Sequence, residues 1–201
     1  PMVRSEPGGV DPWVRSKRCW GHAVSTDLVH WTDWPVALWP DTDQDYGGVY
    51  SGNTIIDDDG TACALYTGNT TGSDGLRYGI LARSHDGLVT WDKHVVMDHE
   101  ERPNPDTPVH HDGFTWKSGD TWHQLIGGTT GGSRPQGAAF LWTSKDLVTW
   151  TFQKNIAPSI QLGEFWELPY LISLSGYDVL FVGRGNPYWT GHYDSEHLIF
   201  T

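Results

Sequence analysis

An all-β fold, a β-propeller of four-stranded antiparallel blades, is what this sequence predicts, and three observations predict it. A short motif nearly repeats, as STDLVHW at Ser25–Trp31, SHDGLVTW at Ser84–Trp91 and TSKDLVTW at Thr143–Trp150. The closing tryptophans, Trp31, Trp91 and Trp150, stand 60 and 59 residues apart, and a fixed period of tens of residues marks a repeat architecture. The 201 residues include 24 Gly and 12 Trp, a mixture that suits turn-rich β structure better than a helical bundle. No segment sustains the 3.6-residue apolar period of a helix.

Within one period the texture is short β-rich runs parted by turn signals. GVYSGNTII, DDDG, TACALYTG, LRYGILARS, the motif and KHVVM read as four strands with their connections. The next period repeats the plan as HDGFTWK, a Ser-Gly-Asp turn, TWHQLIGG, GAAFLWTS, the motif and TFQKNIA. Asp-Gly and Gly-Asp between such runs are hairpin signals. The motif then becomes the hairpin between a blade's third and fourth strands. Its Ser and Asp hold the turn by bonding nearby amides, and its Leu and Trp fill the gap between blades. Residues 1–12 read as an N-terminal tail or expression remnant, and residues 13–201 as one propeller domain. Propellers close with roughly four to eight blades, whereas 201 residues at about 60 per blade supply about three and a third. The sequence therefore predicts part of a propeller, completed by a missing segment or a partner chain.

Composition narrows the partners. The formal net charge is −12, and the 13 Lys and Arg residues form no run, which argues against nucleic acid and anionic membrane. No apolar stretch approaches the roughly 20 residues of a membrane helix, and the N-terminus has no signal-peptide core. Cys19 and Cys63 make neither a disulfide framework nor a metal site, and the compartment stays open. The sequon Asn69-Thr70-Thr71 carries no meaning without a secreted context.

The first strand of each blade is innermost and lines a central funnel. Counted from the motif tryptophans, Ser51 lies 20 residues after Trp31, Asp112 lies 21 after Trp91, and Glu167 lies 17 after Trp150. Three polar residues thus share nearly one phase, which places Asp112 and Glu167 in one pocket. Paired carboxylates in an aromatic funnel suit glycosidic bond cleavage, one as proton donor and others stabilising positive charge on the sugar. Glu167 stands between Trp166 and Leu168, a setting that raises a carboxyl pKa.

These residues resemble a family. WGHAVSTDLVHW, then PVALWPD, YSG, DDDGTACALYTG and WELPYL look like the N-terminal five-bladed propeller of glycoside hydrolase family 32, the invertase, inulinase and levanase group. The resemblance covers Trp20 to about Tyr193. It implies a retaining β-fructosidase acting on sucrose, inulin or levan, with no cofactor or metal. By motif, Asp112 in HHDGFTWK matches the family's transition-state-stabilising Asp and Glu167 in ELP its acid/base Glu. Tyr50, Ser51 and Gly52 match the segment that helps hold the terminal sugar. The match departs at His111, where the family has a sugar-binding Arg, at Gly113 for Pro, at Leu168 for Cys and at Tyr170 for Asp. The family's nucleophilic Asp has no counterpart here. The blade spacing places it about eight residues before Pro1, and Asp11 in GVDPWV lies only 20 residues before Trp31, half the required distance.

Among the other aromatic residues, Trp20, Trp39, Trp166 and Trp189 are candidates for stacking on a sugar, or for packing between blades. The ten histidines show no metal-binding spacing, and His111 alone is expected in the pocket. GGTTGGSRPQG at Gly127–Gly137 reads as a mobile hairpin loop. Rival expectations are a non-catalytic carbohydrate-binding propeller, a related glycosidase of family 43 type acting on arabinose or xylose polymers, and an interaction propeller completed by another chain.

Overall fold

A computed structural model describes residues 17–71, 75–101, 111–157, 163–183, 185 and 187–201. The expected N-terminal tail and Asp11 lie outside the described residues. Every regular element among the described residues is a β-strand. Strands β1 (Trp20–Val24) and β2 (Thr32–Leu38) form an antiparallel pair. Next, β3 (Gly48–Ile56), β4 (Ala62–Asn69), β5 (Arg77–Ser84) and β6 (Asp92–Met97) make a four-stranded sheet in sequential order. The plan recurs in β7 (His111–Ser118), β8 (Thr121–Thr129), β9 (Gly137–Ser144) and β10 (Thr151–Asn155). A third sheet holds β11 (Pro169–Leu174), β12 (Tyr177–Val182) and β13 (Tyr188–Gly191), and a short hairpin pairs β14 (Tyr193–Asp194) with β15 (Ile199–Phe200). All pairings between these strands are antiparallel. The eight sheet runs read from the two full periods therefore become eight strands, with bounds shifted by at most two residues.

The repeated motif is the hairpin joining β1 to β2, β5 to β6 and β9 to β10. In the last, Asp146 Oδ1 accepts from the Val148 and Thr149 amides at 2.9 and 2.7 Å, and Ser144 Oγ accepts from Asp146 N at 3.2 Å. Asp27 and Asp86 cap their turns in the same way. The turn sets its leucine in the left-handed region, at φ 62° for Leu28, 72° for Leu88 and 63° for Leu147. That conformation costs about 1–2 kcal/mol for a residue with a Cβ. Leu147 is fully buried among Cys63, Leu65, Leu81 and Trp122 of two adjoining sheets. Burying a leucine is worth about 1.5–3 kcal/mol, so packing outweighs the strain. Trp150 and Trp91 also pack between sheets, as expected. Trp31 does not: it is 57% exposed, and Leu28 beside it is 78% exposed.

A fourth hairpin of this kind follows β14, unannounced by the repeat. Asp194 Oδ1 accepts from the Glu196 and His197 amides at 2.9 and 3.0 Å, and Leu198 sits at φ 57°. It closes on Phe200, 50 residues after Trp150 rather than 60, because the fourth unit has shorter strands.

Main-chain amides from Thr149 and Val148 hold the Asp146 carboxyl below its usual range. A carboxyl depressed in the folded state stabilises it fully above the unfolded value, about pH 4, and the benefit fades as pH falls through the folded value. Asp146→Asn should therefore flatten the loss of stability as pH falls below about 4, read from urea midpoints. An unchanged slope would show that the turn carboxylate does not carry that share.

Cys19 and Cys63 are buried and not joined in a disulfide, and burial pushes the Cys63 thiol up. Asn69 of the sequon is wholly buried, with its Oδ1 accepting from Thr71 N at 3.1 Å, so no glycan can be attached in the folded state.

Candidate active site

The inner strands β3, β7 and β11 lie side by side. A side-chain amide ties the first two: Asn53 Nδ2 donates to Thr115 O and Thr115 N donates to Asn53 Oδ1, both at 2.8 Å. Asn53 thus presents to β7 the donor and acceptor that a neighbouring strand would. Each of these two strands also bulges where the site residues sit. On β3 the register slips between Val49 and Gly52, and on β7 between His111 and Phe114. A bulge re-aims a side chain without ending the strand.

The ladders correct the counted phase by one residue. Val49 pairs with Gly68 and Gly52 with Tyr66, as His111 pairs with Gly127 and Phe114 with Leu125. Asp112 is therefore the structural equivalent of Tyr50, and Ser51 that of Gly113. Tyr50 and Ser51 remain half-buried at the leading end of β3. Tyr50 O accepts from Trp20 Nε1 at 2.9 Å, and Trp20 packs towards Tyr66, with ring centres 6.0 Å apart. His111 opens β7 opposite Gly127; the pocket role expected of its side chain lies outside the described residues.

Asp112 is 7% exposed and takes φ 62°, and its amide donates to Thr67 Oγ1 at 2.9 Å. A left-handed non-glycine residue is a strained position of the kind that gathers at functional sites. Tyr170 on β11 completes this corner, its ring 5.1 Å from that of Phe114. Burial, and then the Asp112 charge, push the Tyr170 phenol up. Sequence reasoning registered Tyr170 only as a departure from a motif. Its place opposite Asp112 depends on β11 lying against β7.

Glu167 is half-buried in the segment that leads into β11. Trp166 N donates to Gly128 O at 3.0 Å, and Glu167 O accepts from Gly183 N at 2.9 Å. The backbone is thus fastened to the sheets on both sides, with Leu168 at φ 50°. Trp166 itself leaves the set of sugar-stacking candidates. Its ring is 1% exposed and lies 5.0 Å from that of Trp189, in the core between two sheets. The glycine run at Gly127–Gly137 serves that ring: a Cβ on Gly137 would stand 2.0 Å from Trp166 Cδ1.

Tyr50, Ser51, Asp112 and Glu167 thus fall at the leading ends of three adjoining inner strands. Beside Gly113 a cavity of about 30 Å³ opens between the sheets, lined by Thr67, Arg77, Tyr78 and Gln124, room for one water. Among the described residues no three His, Cys, Asp or Glu side chains gather closely enough to hold a metal ion.

The class so defined is an all-β propeller with carboxylates at the mouths of its inner strands. Residues 11–201 match the glycosyl hydrolases family 32 N-terminal domain, and the chain belongs to that family. The sucrose-6-phosphate hydrolase of Bacillus subtilis is 36% identical over 170 residues, covering 81% of this chain and 34% of that protein. Two solved structures are similar over 91% of this chain. A β-fructofuranosidase from Bombyx mori has TM-score 0.72 and 29% identity over 41% of its length. The sucrose-6-phosphate hydrolase of Lactobacillus gasseri has TM-score 0.77 and 26% identity over 40% of its length. The chain spans about a third of the length of the curated relatives it matches.

Proposed function

We propose that the protein carrying this chain is a retaining glycoside hydrolase that cleaves β-fructosides of the sucrose, inulin or levan type, sucrose 6-phosphate included. The single observation behind this reading is the convergence of Asp112 and Glu167, in a family 32 chain, on adjoining inner strands. Glu167 gives a proton to the leaving oxygen and then takes one from the attacking water. Asp112, buried and fixed through its amide, orients sugar hydroxyls and stabilises the oxocarbenium-like transition state. Tyr50 and Ser51 hold the terminal sugar. The nucleophile that retention also requires is assigned to no residue of this chain. The relatives are named as hydrolases of this type, which favours catalysis over a purely carbohydrate-binding propeller. The test is to incubate the protein with sucrose, sucrose 6-phosphate, inulin and levan, following reducing sugar and the anomer first released. Fructose appearing first as its β-anomer supports the reading; binding with no release over long incubation, or inversion, overturns it.

A further inference from the structure

Asp112 sits at φ 62° on the bulge of β7. That strand pairs His111 with Gly127 and then Phe114 with Leu125, so Asp112 and Gly113 together stand opposite Ile126. A strained backbone of this kind persists only where its surroundings over-determine it. Two buried polar side chains do so here, and neither belongs to the repeating plan.

The first is Thr67 on β4, in the preceding sheet. Its hydroxyl oxygen accepts from Asp112 N at 2.9 Å, across 45 residues of sequence. The second is Gln124 on β8. Its Nε2 donates to Thr115 Oγ1 at 3.0 Å, and the side chain lies across Gly113. A Cβ on that glycine would stand 2.9 Å from Nε2 and 3.0 Å from Cδ of Gln124. Thr115 is in turn held at its main-chain N–H and carbonyl by Asn53 of β3. The segment from Asp112 to Thr115 is therefore gripped from β3, β4 and β8.

The fold itself asks for neither polar group. The β4–β5 and β8–β9 ladders follow the 60-residue interval. Ala64 pairs with Ala82 as Gln124 pairs with Trp142, and Gly127 pairs with Ala139 as Thr67 pairs with Gly79. One sheet thus carries alanine where the other carries Gln124, and the second carries glycine where the first carries Thr67. A buried amide or hydroxyl costs free energy unless it is paired. Both of these are paired, and both pairings converge on the bulge that bears Asp112.

We propose that Thr67 and Gln124 are positioning residues for Asp112, fixing the bulge so that its carboxyl meets the sugar where positive charge develops. This deepens the β-fructoside reading and rests on it. The test is a mutant cycle on sucrose hydrolysis with Thr67→Val, Thr67→Ser, Gln124→Ala and Asp112→Asn, alone and combined. Thr67→Val keeps the shape and deletes the acceptor, and Gln124→Ala matches the Ala64 position, so both should fold. In each, kcat should fall roughly 10- to 100-fold, the scale of a small misplacement of a reacting group, with KM little changed. Thr67→Ser keeps the hydroxyl and should recover most of the loss. Added to Asp112→Asn, neither change should cost more than about twofold, because its effect passes through the carboxylate. Amide exchange over residues 111–115, read by mass spectrometry, should quicken in Thr67→Val and Gln124→Ala but not in Thr67→Ser. Losses that persist in full on Asp112→Asn mark a purely structural role and overturn the proposal. So does wild-type turnover by both single variants when Asp112→Asn is impaired. If the wild type releases no fructose, or Asp112→Asn keeps its kcat, the reading of the site fails. The exchange rates then decide whether Thr67 and Gln124 hold the bulge, and unchanged rates overturn that too.

Discussion

Glu167→Gln should lower hydrolysis of sucrose roughly 10²- to 10⁴-fold, the range of general acid–base catalysis by a placed side chain. Glutamine keeps the size and the acceptor oxygen of glutamate but carries no transferable proton at neutral pH. The anchoring of this segment is all main-chain: Trp166 N to Gly128 O, Glu167 O to Gly183 N, and the left-handed turn at Leu168. None of it uses the carboxyl group, so the variant should fold and melt as wild type does. The loss should fall on kcat rather than KM. It should shrink sharply for a fructosyl substrate whose leaving group needs no proton. Turnover of sucrose near the wild-type rate would remove Glu167 from the acid role. An equal loss for both leaving groups would mean that it acts in some other way.

How far the sequence discloses this arrangement depends on the kind of signal. The hairpins were legible because their chemistry is local: Ser84, Asp86 and Leu88, or Ser144, Asp146 and Leu147, sit within five residues and bond within that span. The sheets followed from the 60-residue interval. The phase of the site residues was legible only to within one residue. Bulges at Tyr50–Ser51 and Asp112–Gly113 insert a residue that counting from a distant tryptophan cannot see. Long-range partners left no trace at all. Asp45 is wholly buried, accepting from Thr42 N, Thr42 Oγ1, Tyr66 OH and Lys93 Nζ, all at 2.8 Å. That network brings together a loop, β4 and β6, and no residue in it is set apart by its neighbours in sequence. The bond from Asp112 N to Thr67 Oγ1 has the same character, since 45 residues separate the two.

Trp166 shows why sequence misassigned one aromatic residue, and it carries the largest expected loss of stability. A tryptophan beside a candidate acid reads as a sugar platform, yet a platform must face solvent, and this ring is 1% exposed. It fills the space among Leu125, Ala139, Leu141, Leu171, Leu180 and Val182, the joint between the sheet of β7–β10 and the sheet of β11–β13. Truncating a buried tryptophan to alanine costs about 3–5 kcal/mol, so Trp166→Ala should lower the melting temperature by roughly 10 °C. A platform residue would instead weaken sugar binding with little change in melting. Gly137→Ala attacks the same joint from the other side. Its Cβ would stand 2.0 Å from Cδ1 and 2.1 Å from Nε1 of the indole, and overpacking of this kind costs about 1–3 kcal/mol. The two changes share one volume, so they should not add. The cavity left by Trp166→Ala accepts the Gly137→Ala methyl, and the double variant should melt close to Trp166→Ala alone. If the two losses simply sum, the indole and Gly137 do not meet as described, and the seating of Glu167 against the glycine strand must be redrawn.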